Sequence, residues 1–240
     1  MNLQLNKPIV GMASTPDGQG YWLVAADGGV FAFGDARFFG STGGMHLNRP
    51  IVGIAPTPTG QGYWLVASDG GVFAFGDASF YGSMGGQHLN QAAAGIAPSP
   101  NGQGYWLVAS DGGVFGFGNA SFHGSMAGVM LHAPIIGITA THSGNGYWLD
   151  GSDGGVFTFG DATFSGAVAG APGAVIGALM PTPDQRGYWL AASSSDGSPA
   201  RFGWAFGDTL GCWGETNSIS PTHYVSAAAE GGQQANACAA

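Results

Sequence analysis

The sequence predicts an all-β protein, a five-bladed β-propeller of four-stranded antiparallel blades with about 42 residues per blade. Three observations carry that prediction. Trp22, Trp64, Trp106, Trp148 and Trp189 fall 42, 42, 42 and 41 residues apart. Each sits in a copy of one phrase, cleanest over residues 60–83 as GQGYWLVASDGGVFAFGDASFYGS. Within a copy the alternation is large against small: Phe73 and Phe75 point one way, Val72 and Ala74 the other. Both faces of such a sheet need burial, as in a sheet stacked between two like it, whereas a sheet with one wet face alternates apolar with polar.

The second copy shows each element in order. Pro50-Ile51-Val52-Gly53-Ile54-Ala55 is a short apolar strand, and Pro56-Thr57-Pro58-Thr59-Gly60-Gln61-Gly62 is a turn by composition. Tyr63-Trp64-Leu65-Val66-Ala67 is a strand by β-propensity. Asp69-Gly70 predicts a two-residue hairpin turn, because Gly accepts positive φ and Asp tolerates it. Val72-Phe73-Ala74-Phe75 returns, Gly76-Asp77-Ala78 turns, and Ser79-Phe80-Tyr81-Gly82-Ser83 is expected as a fourth strand. Gly11, Gly53, Gly95, Gly137 and Gly177 mark the first strand as innermost, since small residues let strands approach an axis. Burying one Trp contributes on the order of 4–6 kcal/mol as an upper bound, so the Trp series reads as core between blades.

The copies set the domain frame. Units run over about 7–48, 49–90, 91–132, 133–173 and 174–214, so residues 1–217 form one propeller and 218–240 a tail that could clasp it. Cys212 and Cys238 could form a disulfide pinning that tail; two unpaired thiols are the alternative.

Composition excludes several functions. Lys and Arg number 5 against 14 Asp and Glu, a formal charge of −9, and the cations do not cluster, which disfavours nucleic acid. No apolar run approaches the roughly 18 residues of a membrane helix. Met1-Asn2-Leu3-Gln4-Leu5 has neither the basic start nor the apolar core of a secretion signal, so export needs a leader outside this sequence or another route, such as assembly into a phage particle.

The phrase Gly-Tyr-Trp-Leu-Val-Ala-Ser-Asp-Gly-Gly-Val-Phe-Ala-Phe-Gly-Asp-Ala resembles a tandem repeat of secreted bacterial surface proteins, over roughly residues 7–214. The resemblance implies a propeller-like module located outside the cell or on its surface, and carries no catalytic residues. Five such units also resemble, in architecture only, the five-bladed lectin tachylectin-2, whose sugar sites repeat once per blade.

The residues that could carry chemistry are few. Asp27, Asp69, Asp111, Asp153 and Asp196 after the Trp strand, and Asp35, Asp77, Asp161 and Asp208 after the Phe strand, read as turn acceptors, because Asn119 stands in the same place in the third unit. No calcium-loop spacing and no metal-type His or Cys spacing occurs, so no metal or cofactor is expected. Asp150 stands where Val24, Val66 and Val108 stand, a position expected to be buried, and marks either a site or a local opening. An inner-strand acid pair of the glycosidase kind is missing, and no enzymatic activity is expected. Binding is expected where the copies differ. Phe39, Tyr81 and His123 are read as exposed outer-strand positions beside His46, Asn48, His88 and Asn90 of the linkers, and Trp204 and Trp213 are added in a lengthened fifth unit. Aromatic rings with nearby amides suit a sugar face, which points to a lectin-like binding protein for a glycan or surface protein. A structural protein of a phage particle or surface layer, as a homo-oligomer or part of a larger assembly, is the alternative.

Overall fold

Each copy of the phrase folds as one three-stranded antiparallel sheet, in a computed structural model that describes residues 5–167, 174–181, 188–194 and 202–206. The first sheet holds β1 (Ile9–Ser14), β2 (Gly20–Ala25) and β3 (Val30–Gly34). The second holds β4 (Ile51–Pro56), β5 (Gly62–Ala67) and β6 (Val72–Gly76), and the third β7 (Ala93–Pro98), β8 (Gly104–Ala109) and β9 (Val114–Gly118). The fourth holds β10 (Ile135–Ala140), β11 (Gly146–Gly151) and β12 (Val156–Gly160). The backbone of a fifth follows as β13 (Ala174–Pro181), β14 (Tyr188–Ser194) and β15 (Phe202–Phe206). Among the described residues there is no helix.

The register repeats. Trp22 lies between Ala13 and Ala32, and Tyr21 between Ser14 and Phe33. A bulge at Val10 interrupts β1, and the same irregularity recurs in β4, β7, β10 and β13. In the fifth sheet Ala178, opposite Ala191, takes the register position of Gly11, and Gly177 takes the bulge, not the expected close-approach position.

Because side chains alternate along a strand, each sheet has two distinct faces. One carries Ala13, Trp22, Val24 and Val30 and their equivalents; the other carries Tyr63, Leu65, Phe73 and Phe75 and theirs. The Trp face of one sheet packs on the Tyr face of the next. Ala13, Trp22, Val24 and Val30 form one core with Ile54, Tyr63 and Leu65, with Phe73 and Phe75 against it. The same core recurs between the second and third sheets and between the third and fourth. Two-sided burial, expected from the large/small alternation, holds wherever a sheet has a neighbour on each side. First strands line up in sequence, β1 on β4, β4 on β7, β7 on β10 and β10 on β13, with no contact between β13 and β1 among the described residues. Glycine makes that approach close: a Cβ on Gly95 would lie 3.4 Å from the Gly137 Cα.

Two local expectations are corrected. The hairpin between the second and third strands has a three-residue loop, not two: the Ala25 N–H bonds the Gly29 carbonyl, and Gly28 N–H bonds the Ala25 carbonyl. Gly28 sits at φ 80°, the left-handed residue that closes such a loop. The expected fourth strand does not form in the first four units: residues 79–83 and their equivalents there have no sheet partner among the described residues. Their backbone groups are taken by side chains of two adjacent sheets instead.

Candidate functional site

The segment that replaces the fourth strand leaves the third strand through an Asp turn. The Asp77 carboxylate accepts bonds from the Thr57 hydroxyl at 2.8 Å and the Thr59 hydroxyl at 2.5 Å. Asp161 does the same with Thr141 and Ser143, and the Ser143 hydroxyl leads in holding its carboxyl below the usual range. In the third unit Asn119 donates instead to Asn101, at 2.9 Å, so acceptor and donor have changed together. Asp27, Asp69, Asp111 and Asp153 each accept the N–H of the Gly two residues on, at 3.0 Å. These carboxylates tie turns.

The segment then passes between two sheets, clamped from both. From its own unit, the Trp22, Trp64, Trp106 and Trp148 indoles donate to the carbonyls of Arg37, Ser79, Ser121 and Thr163 at 2.7, 2.8, 2.7 and 2.9 Å. From the next unit, the Tyr63 hydroxyl accepts the Phe39 N–H at 3.1 Å and donates to the Gly40 carbonyl at 2.6 Å. Tyr105 treats Tyr81 and Gly82 alike at 3.2 and 2.6 Å, and Tyr147 treats His123 and Gly124 alike at 3.1 and 2.5 Å. Tyr188 accepts the Ser165 and Gly166 N–H groups and donates to the Gly166 carbonyl. Burial pushes all four tyrosine hydroxyls above their ordinary pKa, so each keeps the proton it donates. Glycine is required in the clamp: Gly40 has φ 134°, and a Cβ there would lie 2.6 Å from the Phe75 ring.

This geometry places Phe39, Tyr81 and His123 differently from the sequence expectation. They are half-buried, not exposed, and meet the next tyrosine edge-on at ring-centroid distances of 5.8, 5.9 and 5.7 Å. The Gly that follows each one holds the backbone against the next sheet and turns the preceding ring inward. The His123 Nε2 is buried without a hydrogen-bond partner. The residue one position earlier faces out. Phe38, Phe80, Phe122 and Phe164 are 60%, 59%, 62% and 57% exposed, a row of equivalent rings one repeat apart. Sequence reasoning missed that row, although its signal was present: this position is Phe in all four copies, while the next varies through Phe, Tyr, His and Ser.

The remaining expected residues divide in three. His46, Asn48, His88 and Asn90 are exposed on the connections between sheets. Asp150 is buried, 2% exposed, opposite Gly137, where a Cβ would lie 2.5 Å from the Asp150 Oδ1. Burial pushes its carboxyl up to about 6. Trp204 lies in β15 opposite Leu190, and Trp213, Cys212, Cys238 and the tail lie outside the described residues. Among the described residues no three His, Cys, Asp or Glu side chains come together as metal ligands, and no helix is long and apolar enough to cross a membrane.

No protein-family model matches the chain, and no curated protein matches it. A solved structure from Bacteroides thetaiotaomicron VPI-5482, described as a structural genomics protein of unknown function, is similar with a TM-score of 0.54 at 12% identity. The match covers 78% of this chain and 52% of that one, so the chain spans about half the length of its structural neighbour. At that identity the likeness concerns the fold alone, an all-β arrangement of repeated three-stranded antiparallel sheets.

Proposed function

We propose that the protein is a non-catalytic, lectin-like binding array of the cell surface or exterior, which engages a repetitive glycan through the row Phe38, Phe80, Phe122 and Phe164. The observation that carries this reading is the equivalence of the four exposed rings. Each stands on a backbone whose carbonyl, one residue earlier, is fixed by an indole and whose next N–H is fixed by a tyrosine or, at Phe164, lies against one. A rigid ring offers a flat apolar surface at little entropic cost, suited to the C–H face of a pyranose. Four weak equivalent sites give avidity toward a polymer that one site would lack. The fold reading that goes with it is a propeller whose blades are the repeat units, with first strands innermost. The non-catalytic part is supported by β1, β4, β7 and β10, which carry no Asp or Glu, leaving Asp150 without the second carboxylate that glycoside hydrolysis uses.

A glycan array followed by calorimetry tests the proposal. Binding to a cell-wall or surface polysaccharide is expected, weakened by each single Phe→Ala change in the row and lost when all four are changed. Absence of binding to any such glycan overturns it. The alternative, an assembly protein, is favoured by a separate observation, the apolar Tyr face of the first sheet.

A further inference from the structure

The junction between the fourth and fifth sheets departs from the three before it. On the Trp faces of the first three sheets, Ala13, Ala55 and Ala97 stand opposite the indole on the first strand. Ala32, Ala74 and Gly116 stand opposite it on the third strand, and Val24, Val66 and Val108 lie two residues beyond it. On the fourth sheet the same positions hold Thr139, Thr158 and Asp150. That face meets the fifth sheet. Trp148 packs on Tyr188 with ring centroids 5.9 Å apart, and the Thr139 hydroxyl donates to the Leu179 carbonyl at 3.1 Å. The clamp is altered as well. Ser165 stands where Phe39, Tyr81 and His123 each meet the next tyrosine edge-on, so this junction has the hydroxyl bonds without the ring. The Ser165 N–H group lies 3.4 Å from the Tyr188 hydroxyl, against 3.1, 3.2 and 3.1 Å in the other clamps.

Asp150 is the ionisable group on this buried face. Its carboxylate accepts only its own N–H among the described residues. The strands around it supply no cation. β10, β12, β13 and β15 carry no ionisable residue. Tyr147 of β11 lies on the opposite face, and the Tyr188 hydroxyl of β14 is held by Gly166. Asp153, at the hairpin tip, accepts the Gly155 N–H. The fifth unit's charged residues Asp184, Arg186, Asp196, Arg201 and Asp208 lie outside the described residues. An ionised carboxylate buried without a partner is costly, and the cost falls when water reaches it. Parting the two sheets therefore relieves a charged Asp150 and does little for a protonated one.

We propose that the junction between the fourth and fifth sheets is a pH-sensitive seam: it stays shut while Asp150 is protonated, and ionisation of Asp150 lets the fifth sheet part from the fourth while the other junctions hold. The segment that carries Phe164 is loosened with it, because Tyr188 clamps that segment from across the seam. The direction follows from burial. The Asp150 carboxyl is raised to about 6 in the shut junction, against an ordinary 3.8. Opening is therefore rarest near pH 4, grows as pH rises toward about 6 and is level above that. The seam does not depend on glycan binding.

Amide exchange of the full chain, resolved by residue and expressed as protection factors at pH 4 and 7, tests it. The Ser165 and Gly166 N–H groups bond the Tyr188 hydroxyl across the seam and report its opening, while the Tyr81 and His123 N–H groups report the two junctions before it. Protection at Ser165 and Gly166 is expected to fall roughly a hundredfold from pH 4 to pH 7, a shift of about two pK units, with Tyr81 and His123 changing far less. Asp150→Asn, which keeps the shape without the charge, and Asp150→Val should each hold the seam shut at pH 7. Equal protection at the two pH values overturns the proposal, as does a fall that Asp150→Asn leaves intact. A fall shared equally by all four amides overturns it in favour of global unfolding. Protection that rises with pH overturns it in favour of a cation paired with Asp150.

Discussion

Phe80 and Tyr81 are neighbours in the chain and opposites in environment. Phe80 is 59% exposed with no ring contact among the described residues, while Tyr81 is half-buried, edge-on to Tyr105, with its hydroxyl on the Gly102 carbonyl at 3.0 Å. The same split recurs at Phe38 and Phe39 and at Phe122 and His123. The difference teaches that the segment is a wall with two sides, one packed into the fold and one open to solvent, the side to which the proposed function assigns recognition. Identity can drift from Phe to His on the inner side because the clamp holds backbone atoms there, not the side chain.

The largest effect should come from removing the inner support. Trp106→Ala empties a fully buried site and takes the donor from the Ser121 carbonyl, and is expected to cost about 3–5 kcal/mol in denaturant unfolding. Asp150→Val, which restores the residue of the other copies at an inner position, should instead stabilise at neutral pH by about 3 kcal/mol, on the order of two pK units. The sign follows from linkage. The folded-state pKa of about 6 lies above the ordinary 3.8, so the folded protein takes up the proton first and stability rises as pH falls from about 6 toward 4. Melting curves at pH 4 and 7 should show that rise in wild type and a flatter profile in the variant. Tyr105→Phe leaves the Tyr81 N–H and Gly82 carbonyl without their buried partner, at about 1–3 kcal/mol. Phe80→Ala should change stability by less than about 0.5 kcal/mol while weakening glycan binding. A large loss of stability there would erase the two-sided reading.

The periodic strands, the places of the Asp-Gly turns though not their loop length, and the buried tryptophans were legible because they depend on local propensity and on a repeat visible in one sequence. The segment after Gly76 was not. Ser79-Phe80-Tyr81 has strand-like composition, but its backbone partners are the Trp64 indole, 15 residues away, and the Tyr105 hydroxyl, 24 residues away. Side chains satisfying backbone groups leave no periodic trace. Which of two adjacent aromatics turns inward is set by Gly82 pressing against Phe117 of another unit, and its one trace in the sequence is the constancy of Phe at the outward position. For Asp150 its place among valines pointed to burial, and the structure buries it to 2% exposure, which overturns the local opening to solvent that the sequence reading set beside a site.

The tyrosine clamp also bears on how such a chain can change length. Every clamp reaches back 22 to 24 residues into the unit before, and every indole bond reaches forward 15. Each 42-residue copy is therefore tied to its neighbours by reciprocal stitches that cross the connections but leave the connections themselves exposed. A recombination event that cuts at two equivalent connections, near His46 and His88 for example, removes or adds one whole copy and rejoins every stitch to an equivalent partner. A pair of cuts at non-equivalent positions orphans a tyrosine at one end and an indole at the other. Genes for this repeat should gain and lose units in whole steps, with the two breakpoints at equivalent positions of two copies.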